Sequence, residues 1–218
     1  MSVEALPRSA RRSGRGGIGS RILRGAGWTL ITAGVLVGLF VVYELFVTDL
    51  IAARHQATLR DDLARQFRST DPEGEPPRPV PGRGLAILRI RRIDLDAVVV
   101  EGVGLEDLKK GPGHYPTTPI PGERGNVGIA GHRTTYGKPF WSLDELVVGD
   151  EILLRTSEGE FVYEVRWKRV VLPSQGEVLD PTGRPSLTLT TCEPRFSAAR
   201  RLIVRAVQVR GPPGAEAS

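Results

Sequence analysis

Cys192 ends the run Thr188-Leu189-Thr190-Thr191-Cys192 and is the one cysteine in 218 residues. A lone thiol in an exported domain cannot close an internal disulfide, so it is packing, an intermolecular link or a reactive group. A free thiol with an ordinary pKa near ~8.5 is mostly protonated at neutral pH, and an adjacent imidazole or guanidinium raises the thiolate fraction. Strand parity says which side chains could supply one. In 186–192, Leu187, Leu189 and Thr191 share one face, and Thr188, Thr190 and Cys192 share the other. In 126–132, Val127 and Ile129 mark the core side, with Gly128, Ala130 and His132 opposite. In 201–206, Leu202, Val204 and Ala206 point inward, and Arg201, Ile203 and Arg205 outward. If these three strands are neighbours, Cys192, His132 and Arg201 meet on one outer face. Gly128 and Ala130 there leave room for another chain to approach closely. Such a trio suits acyl transfer: a thiolate attacks, an imidazole protonates the leaving amine, and a guanidinium donates to the oxyanion.

Metal chemistry has little support, because one Cys and three His, none of them at chelating spacing, do not make a zinc site. No metal and no cofactor are expected. His114, in Gly113-His114-Tyr115-Pro116, is the rival histidine, but it lies in a Gly/Pro loop rather than at a strand end. Arg200 rivals Arg201, yet parity turns Arg200 toward the core.

The elements that must position these groups are short strands rich in Val, Ile, Leu and Thr, at about 85–90, 93–99, 126–132, 151–155, 161–172, 186–191 and 201–209. Gly, Pro and Asp turns separate them, and 105–109 and 142–146 offer a helical turn or two. The pattern predicts an all-β domain over 84–210, a closed barrel or sandwich of seven or eight strands.

Ahead of it, 25–43 is a 19-residue stretch without a charge, about 28 Å long as a helix, which matches a bilayer's hydrocarbon core. It exceeds the ~7–15 residues of a cleaved leader's apolar region, and no Ala-x-Ala follows closely, so a retained anchor at 25–47 is expected. Six arginines against Glu4 in 1–24 account for the whole net charge of +5. The remainder is neutral, which argues against a nucleic-acid-binding surface. Basic residues before the span, and Glu44 and Asp49 after it, predict a cytoplasmic tail and an outer C-terminal domain. Between span and barrel, 48–68 reads as a helix on its Leu59, Leu63, Phe67 spacing, either a stalk or packed on the domain. Five prolines in 71–82 then make a semi-rigid spacer, closing a 48–83 connecting region. Residues 211–218 are expected to be a disordered tail.

Thr188-Leu189-Thr190-Thr191-Cys192 with Arg201-Leu202-Ile203-Val204 resembles the Thr-Leu-x-Thr-Cys and Arg signatures of sortases, cysteine transpeptidases of Gram-positive cell surfaces. Gly131-His132-Arg133 resembles the histidine segment of that family. Gly131 to Gly137, with Pro139-Phe140-Trp141, is most similar to class E, the actinobacterial housekeeping type. The resemblance implies a sortase-type β-barrel with Cys192 as nucleophile, His132 as general acid beside a thiolate, and Arg201 steadying the oxyanion. Tyr115 and Thr190 become candidates to line the peptide groove, with a structural role the alternative. The implied partners are secreted proteins carrying a Leu-Ala-x-Thr-Gly or Leu-Pro-x-Thr-Gly sorting signal and an amine of a cell-wall precursor. Cleavage would fall between Thr and Gly at the outer face of the cell membrane. Two alternatives are a pilin-polymerising sortase and an anchored β-barrel that binds without catalysis.

Overall fold

The computed structural model describes residues 18–43, 48–69 and 78–212. The chain divides into two compact units, residues 1–43 and 44–218. The first contains helix α1 (Ile18–Val42). Within Gly19–Val42 an 18-residue stretch has a mean hydropathy of 2.0, and none of that stretch is buried within the protein, so the helix is long and apolar enough to span a membrane. The helix begins seven residues earlier than the charge-free stretch and takes in Arg21 and Arg24. The basic tail as far as residue 17, the prolines at 72, 76 and 77, and the tail from 213 lie outside the described residues.

The second unit begins with helix α2 (Thr48–Ser69), followed by eight strands and one short helix. These are β1 (Gly84–Ile90), β2 (Leu95–Glu101), α3 (Leu105–Leu108), β3 (Gly113–His114), β4 (Asn126–Ala130), β5 (Glu151–Arg155), β6 (Glu160–Val171), β7 (Ser186–Glu193) and β8 (Arg200–Arg210). They close a barrel in the order β1-β2-β3-β4-β7-β8-β6-β5, with β5 returning to β1. Every strand has a neighbour on both sides, although β3 meets β2 and β4 over only two residues each. Most neighbours are antiparallel, but β2 with β3 and β4 with β7 run parallel.

Seven strands follow the expected order with small shifts at their ends. The second starts at Leu95 rather than residue 93, because Arg91–Ile93 form a 3-10 turn ended by left-handed Asp94. The eighth, β3, has only two residues, too short to show any periodicity. Apolar alternation fills the barrel: Leu88, Ile90, Val99, Ile129, Leu154, Phe161, Leu189 and Val204 are all buried in one core.

In β2 both faces are apolar, which a single core does not explain. Val99 enters the barrel, whereas Val98 and Val100 form a second cluster with Leu59 and Leu63 of α2. Gln56 secures the same contact: its amide oxygen accepts from Val98 N, and its amide nitrogen donates to the carbonyls of Val98 and Lys110. So α2 packs on the barrel; it is not a free stalk.

Leu63 is 1% exposed. Leu63→Ala should therefore cost about 2–5 kcal/mol of barrel stability, the range for truncating a buried leucine. A urea midpoint unchanged by that substitution would show that α2 lies outside the cooperative unit.

Candidate functional site

The site is built from three adjacent strands whose outward residues fall into rows. Parallel pairing of β4 with β7 keeps a constant offset of 60 residues, from Asn126↔Ser186 to Ala130↔Thr190. Antiparallel pairing of β7 with β8 sets Thr188 opposite Arg205, Thr190 opposite Ile203, and Cys192 opposite Arg201. One row is thus Gly128, Thr188 and Arg205; the next is Ala130, Thr190 and Ile203. In a third, Cys192 and Arg201 are direct cross-strand partners on one face.

His132 lies two residues past the last β4 pair, and the chain holds its course there. Gly131 N donates to Thr190 O at 3.0 Å, and Thr191 Oγ1 donates to Gly131 O at 2.7 Å. The same offset carried two residues further would bring position 132 beside position 192. The buried hydroxyl of Thr191, on the core side of β7, thus ties the histidine segment to that strand. Gly131 is required by close approach, since a Cβ there would lie 2.5 Å from the buried ring of Phe140.

The first two rows are covered. Thr188 is fully buried, and Thr190 is only 5% exposed. Gly128 was expected to leave room for a foreign chain, but its space is filled from within. A Cβ at Gly128 would meet Leu179 and Tyr115, each at 2.9 Å. The cover comes from the β6–β7 connection, where Gly176–Leu179 form a 3-10 turn. Its Val178 carbonyl accepts from Asn126 at 3.1 Å and from Arg205 at 2.6 Å. Outward-facing hydroxyls are satisfied within this cover, as when Thr188 donates to Asn126 Oδ1 at 2.7 Å.

Tyr115 and Thr190, the two groove candidates, touch: Tyr115 Oη and Thr190 Oγ1 are 2.9 Å apart. Besides Arg205 in the first row, the partly exposed side chains are those of the third row, Cys192, His132 and Arg201. The thiol is free. Arg201 donates to the carbonyls of Ala198 and Arg200, folding back on the turn between β7 and β8. Arg200 stands opposite Glu193, not opposite the thiol.

His132 Nε2 is buried and has no hydrogen-bond partner among the described residues. Its ring lies 5.1 Å from that of Tyr136, centroid to centroid. Burial pushes its pKa below the ordinary 6.5, because a charged imidazole loses hydration there. His114 is 1% exposed; its Nδ1 is 2.7 Å from Glu101 Oε2, and its Nε2 is 3.0 Å from Pro119 O. It braces β3 and does not open onto the third row.

Arg133 is a residue that sequence reading passed over. Its guanidinium is 3% exposed. It donates to Cys192 O at 3.3 Å, Glu193 Oε2 at 2.8 Å and Trp141 O at 3.0 Å, and it lies 3.0 Å from Asp144 Oδ1. The residue after the histidine therefore clamps the backbone of the cysteine. Adjacency to His132 was the one available signal, since arginine is rarely buried unless it is paired. Among the described residues, no group of three or more His, Cys, Asp or Glu could hold a metal ion.

Residues 88–209, which span β1 to β8 and carry the whole third row, match the Sortase domain family. The chain belongs to the sortase family. Sortase SrtE1 of Streptomyces coelicolor is 37% identical over 216 residues, covering 89% of this chain. The alignment spans 58% of the length of that relative. Two solved structures share the barrel. Clostridium perfringens Sortase D5 has a TM-score of 0.65 at 32% identity, covering 72% of this chain and 99% of that one. S. coelicolor Sortase E1, solved with a tripeptide in its active site, has a TM-score of 0.57 at 34% identity, covering 63% of this chain and 99% of that one. The class E likeness noted in the histidine segment agrees with these relatives.

Two outcomes test the electrostatics of this sortase site. Arg133→Met strands the partly exposed Glu193 while Asp144 keeps Arg195 at 3.2 Å, so the penalty falls below the ~3–5 kcal/mol of a fully buried pair. A loss of about 2–3 kcal/mol in denaturant titration is expected, and Arg133→Lys should lose less because it keeps the charge without the fork. The second concerns pH. Above about 6.5 His132 is neutral both folded and unfolded; below it the unfolded chain takes up the proton first, so stability falls with pH. His132→Asn should therefore lose less thermal stability than the parent between about pH 7 and pH 5. Parallel melting curves for the two proteins would contradict the assigned burial.

Proposed function

We propose that this chain is a membrane-anchored sortase that cleaves a C-terminal sorting signal between Thr and Gly and transfers the new Thr carbonyl to an amine. The observation that carries the reading is the cross-strand pairing of Cys192 with Arg201, both partly exposed, beside the path of the partly exposed His132. The reading gives α1 the role of a single-pass anchor, with the arginine-rich end in the cytoplasm and the barrel outside.

The proposed chemistry follows from the side chains. Burial favours neutral imidazole in the resting state, so His132 first accepts the Sγ proton as sulfur attacks the Thr carbonyl carbon. The carbonyl oxygen gains charge, and Arg201 swings from the Ala198 and Arg200 carbonyls to donate to it. The carbon–nitrogen bond then breaks, and His132 returns its proton to the departing Gly amine, leaving a thioester on Cys192. An incoming amine attacks that thioester and gives up a proton to His132, the carbon–sulfur bond breaks as the new amide forms, and His132 returns the proton to Sγ of Cys192. In this reading the imidazolium forms during the reaction and serves as the acid toward the leaving amine.

The acceptor is read as the amine of a cell-wall precursor, and the donor as a secreted protein with a Leu-Ala-x-Thr-Gly or Leu-Pro-x-Thr-Gly signal. Tyr115 and Thr190 would form the floor beneath the peptide residues that precede the cleaved bond, since their contact borders the open row.

Mass spectrometry of the chain incubated with each signal peptide tests the reading. An acyl adduct on Cys192, absent in Cys192→Ala, is expected. Arg201→Ala should lower kcat about 100- to 1000-fold, the usual cost of losing one oxyanion donor. Turnover by Cys192→Ala would remove the nucleophile assignment.

A further inference from the structure

The loop that follows His132 carries an unusual backbone. Tyr136, Gly137 and Lys138 are consecutive residues with φ of 52°, 75° and 38°. Left-handed geometry is disfavoured for tyrosine and lysine and persists only where surrounding structure holds it. The holding group comes from another element, the first turn of α2. Asp49 Oδ1 accepts from Gly137 N at 2.8 Å, and Asp49 Oδ2 pairs with Lys138 Nζ at 2.8 Å. Beneath them Ala52 is 3% exposed, and a Cβ at Gly137 would lie 3.4 Å from the Ala52 Cβ. One carboxylate thus engages two of the three left-handed residues.

The third, Tyr136, lies against the imidazole of His132, 5.1 Å between ring centroids. Lys109 Nζ stands 5.9 Å from the Tyr136 ring and adds a cationic contact. With Nε2 of His132 unpartnered among the described residues, the tyrosine ring limits how the imidazole can turn.

We propose that Asp49 is a positioning residue for the transfer reaction: through Gly137 and Lys138 it holds Tyr136 against His132, making the first turn of α2 part of the active-site framework. The inference rests on the reading of His132 as the group that moves the proton. It assigns α2 two jobs, packing through Leu59 and Leu63 and aiming the histidine loop through Asp49.

The test uses the full chain in detergent micelles with a sorting-signal peptide and an amine acceptor. Asp49→Ala should lower kcat about tenfold, with KM within about twofold, because a misplaced imidazole slows proton transfer more than peptide binding. Asp49→Asn keeps an oxygen for Gly137 N and should recover most of the loss. Tyr136→Ala should reproduce the fall in kcat, and the double variant should lose little more than either single one. Parental kcat in Asp49→Ala, or additive losses in the double variant, would overturn the inference. So would equal losses in the Ala and Asn variants at position 49. Cys192→Ala run in parallel separates the two levels: its retained turnover would sink the nucleophile reading itself. Its inactivity beside a fully active Asp49→Ala would sink only the positioning role.

Discussion

Parallel pairing of β4 with β7 is the constraint on which the site depends. These strands are far apart in sequence, and nothing local holds them together. Their register is set by the buried Val127, Ile129, Leu187 and Leu189, which must all face the barrel core. A slip of one residue would turn every side chain of β7 over, sending Cys192 inward and exposing leucines. Beyond the ladder, three further bonds continue the alignment: Gly131 N to Thr190 O, Thr191 Oγ1 to Gly131 O, and Arg133 to Cys192 O. Hydrophobic burial chooses the face, and polar contacts then fix the last two residues.

That division explains what could be read in advance. Period-two alternation is a local property, so seven strands and the outward direction of Cys192 and Arg201 were legible. Alternation alone left a closed barrel and a sandwich open, and the family resemblance of the cysteine and histidine segments was what pointed to the barrel. The cover over Gly128 and Thr188 was not legible, because parity says which way a residue points and not what lies above it. The 3-10 turn at Gly176–Leu179 has no periodic signature, and its grip on Asn126 and Arg205 is a long-range contact. Arg133 and Asp49 were hidden for the same reason. A buried arginine and a helix-first-turn acid look like ordinary surface charges until the partners Glu193, Asp144, Gly137 and Lys138 are in place.

The position of α2 changes how the region after α1 should be understood. Its sequence suits both a solvated stalk and a packed helix, because Leu59, Leu63 and Phe67 make only a narrow apolar stripe. The deciding feature lies in β2, whose run Ala97-Val98-Val99-Val100 is apolar on both faces. A strand buried on one side would alternate, so a second layer is required. Gln56, bonded at both ends of its amide to β2 and Lys110, leaves the helix little freedom to slide. The helix thereby becomes a layer of the domain that also contacts the histidine loop through Asp49.

The central claim, that positions 132 and 192 are neighbours at the open end of the sheet, has a direct test. His132→Cys leaves two thiols in the chain, one native and one introduced. Neighbouring strands lie about 4.8 Å apart, inside the roughly 7 Å limit between Cα atoms for a disulfide. Mild oxidation should then give an intramolecular bridge, seen as a mass lower by two hydrogens and the loss of both free thiols. Two free thiols in a protein whose circular dichroism still shows the intact barrel would contradict the account.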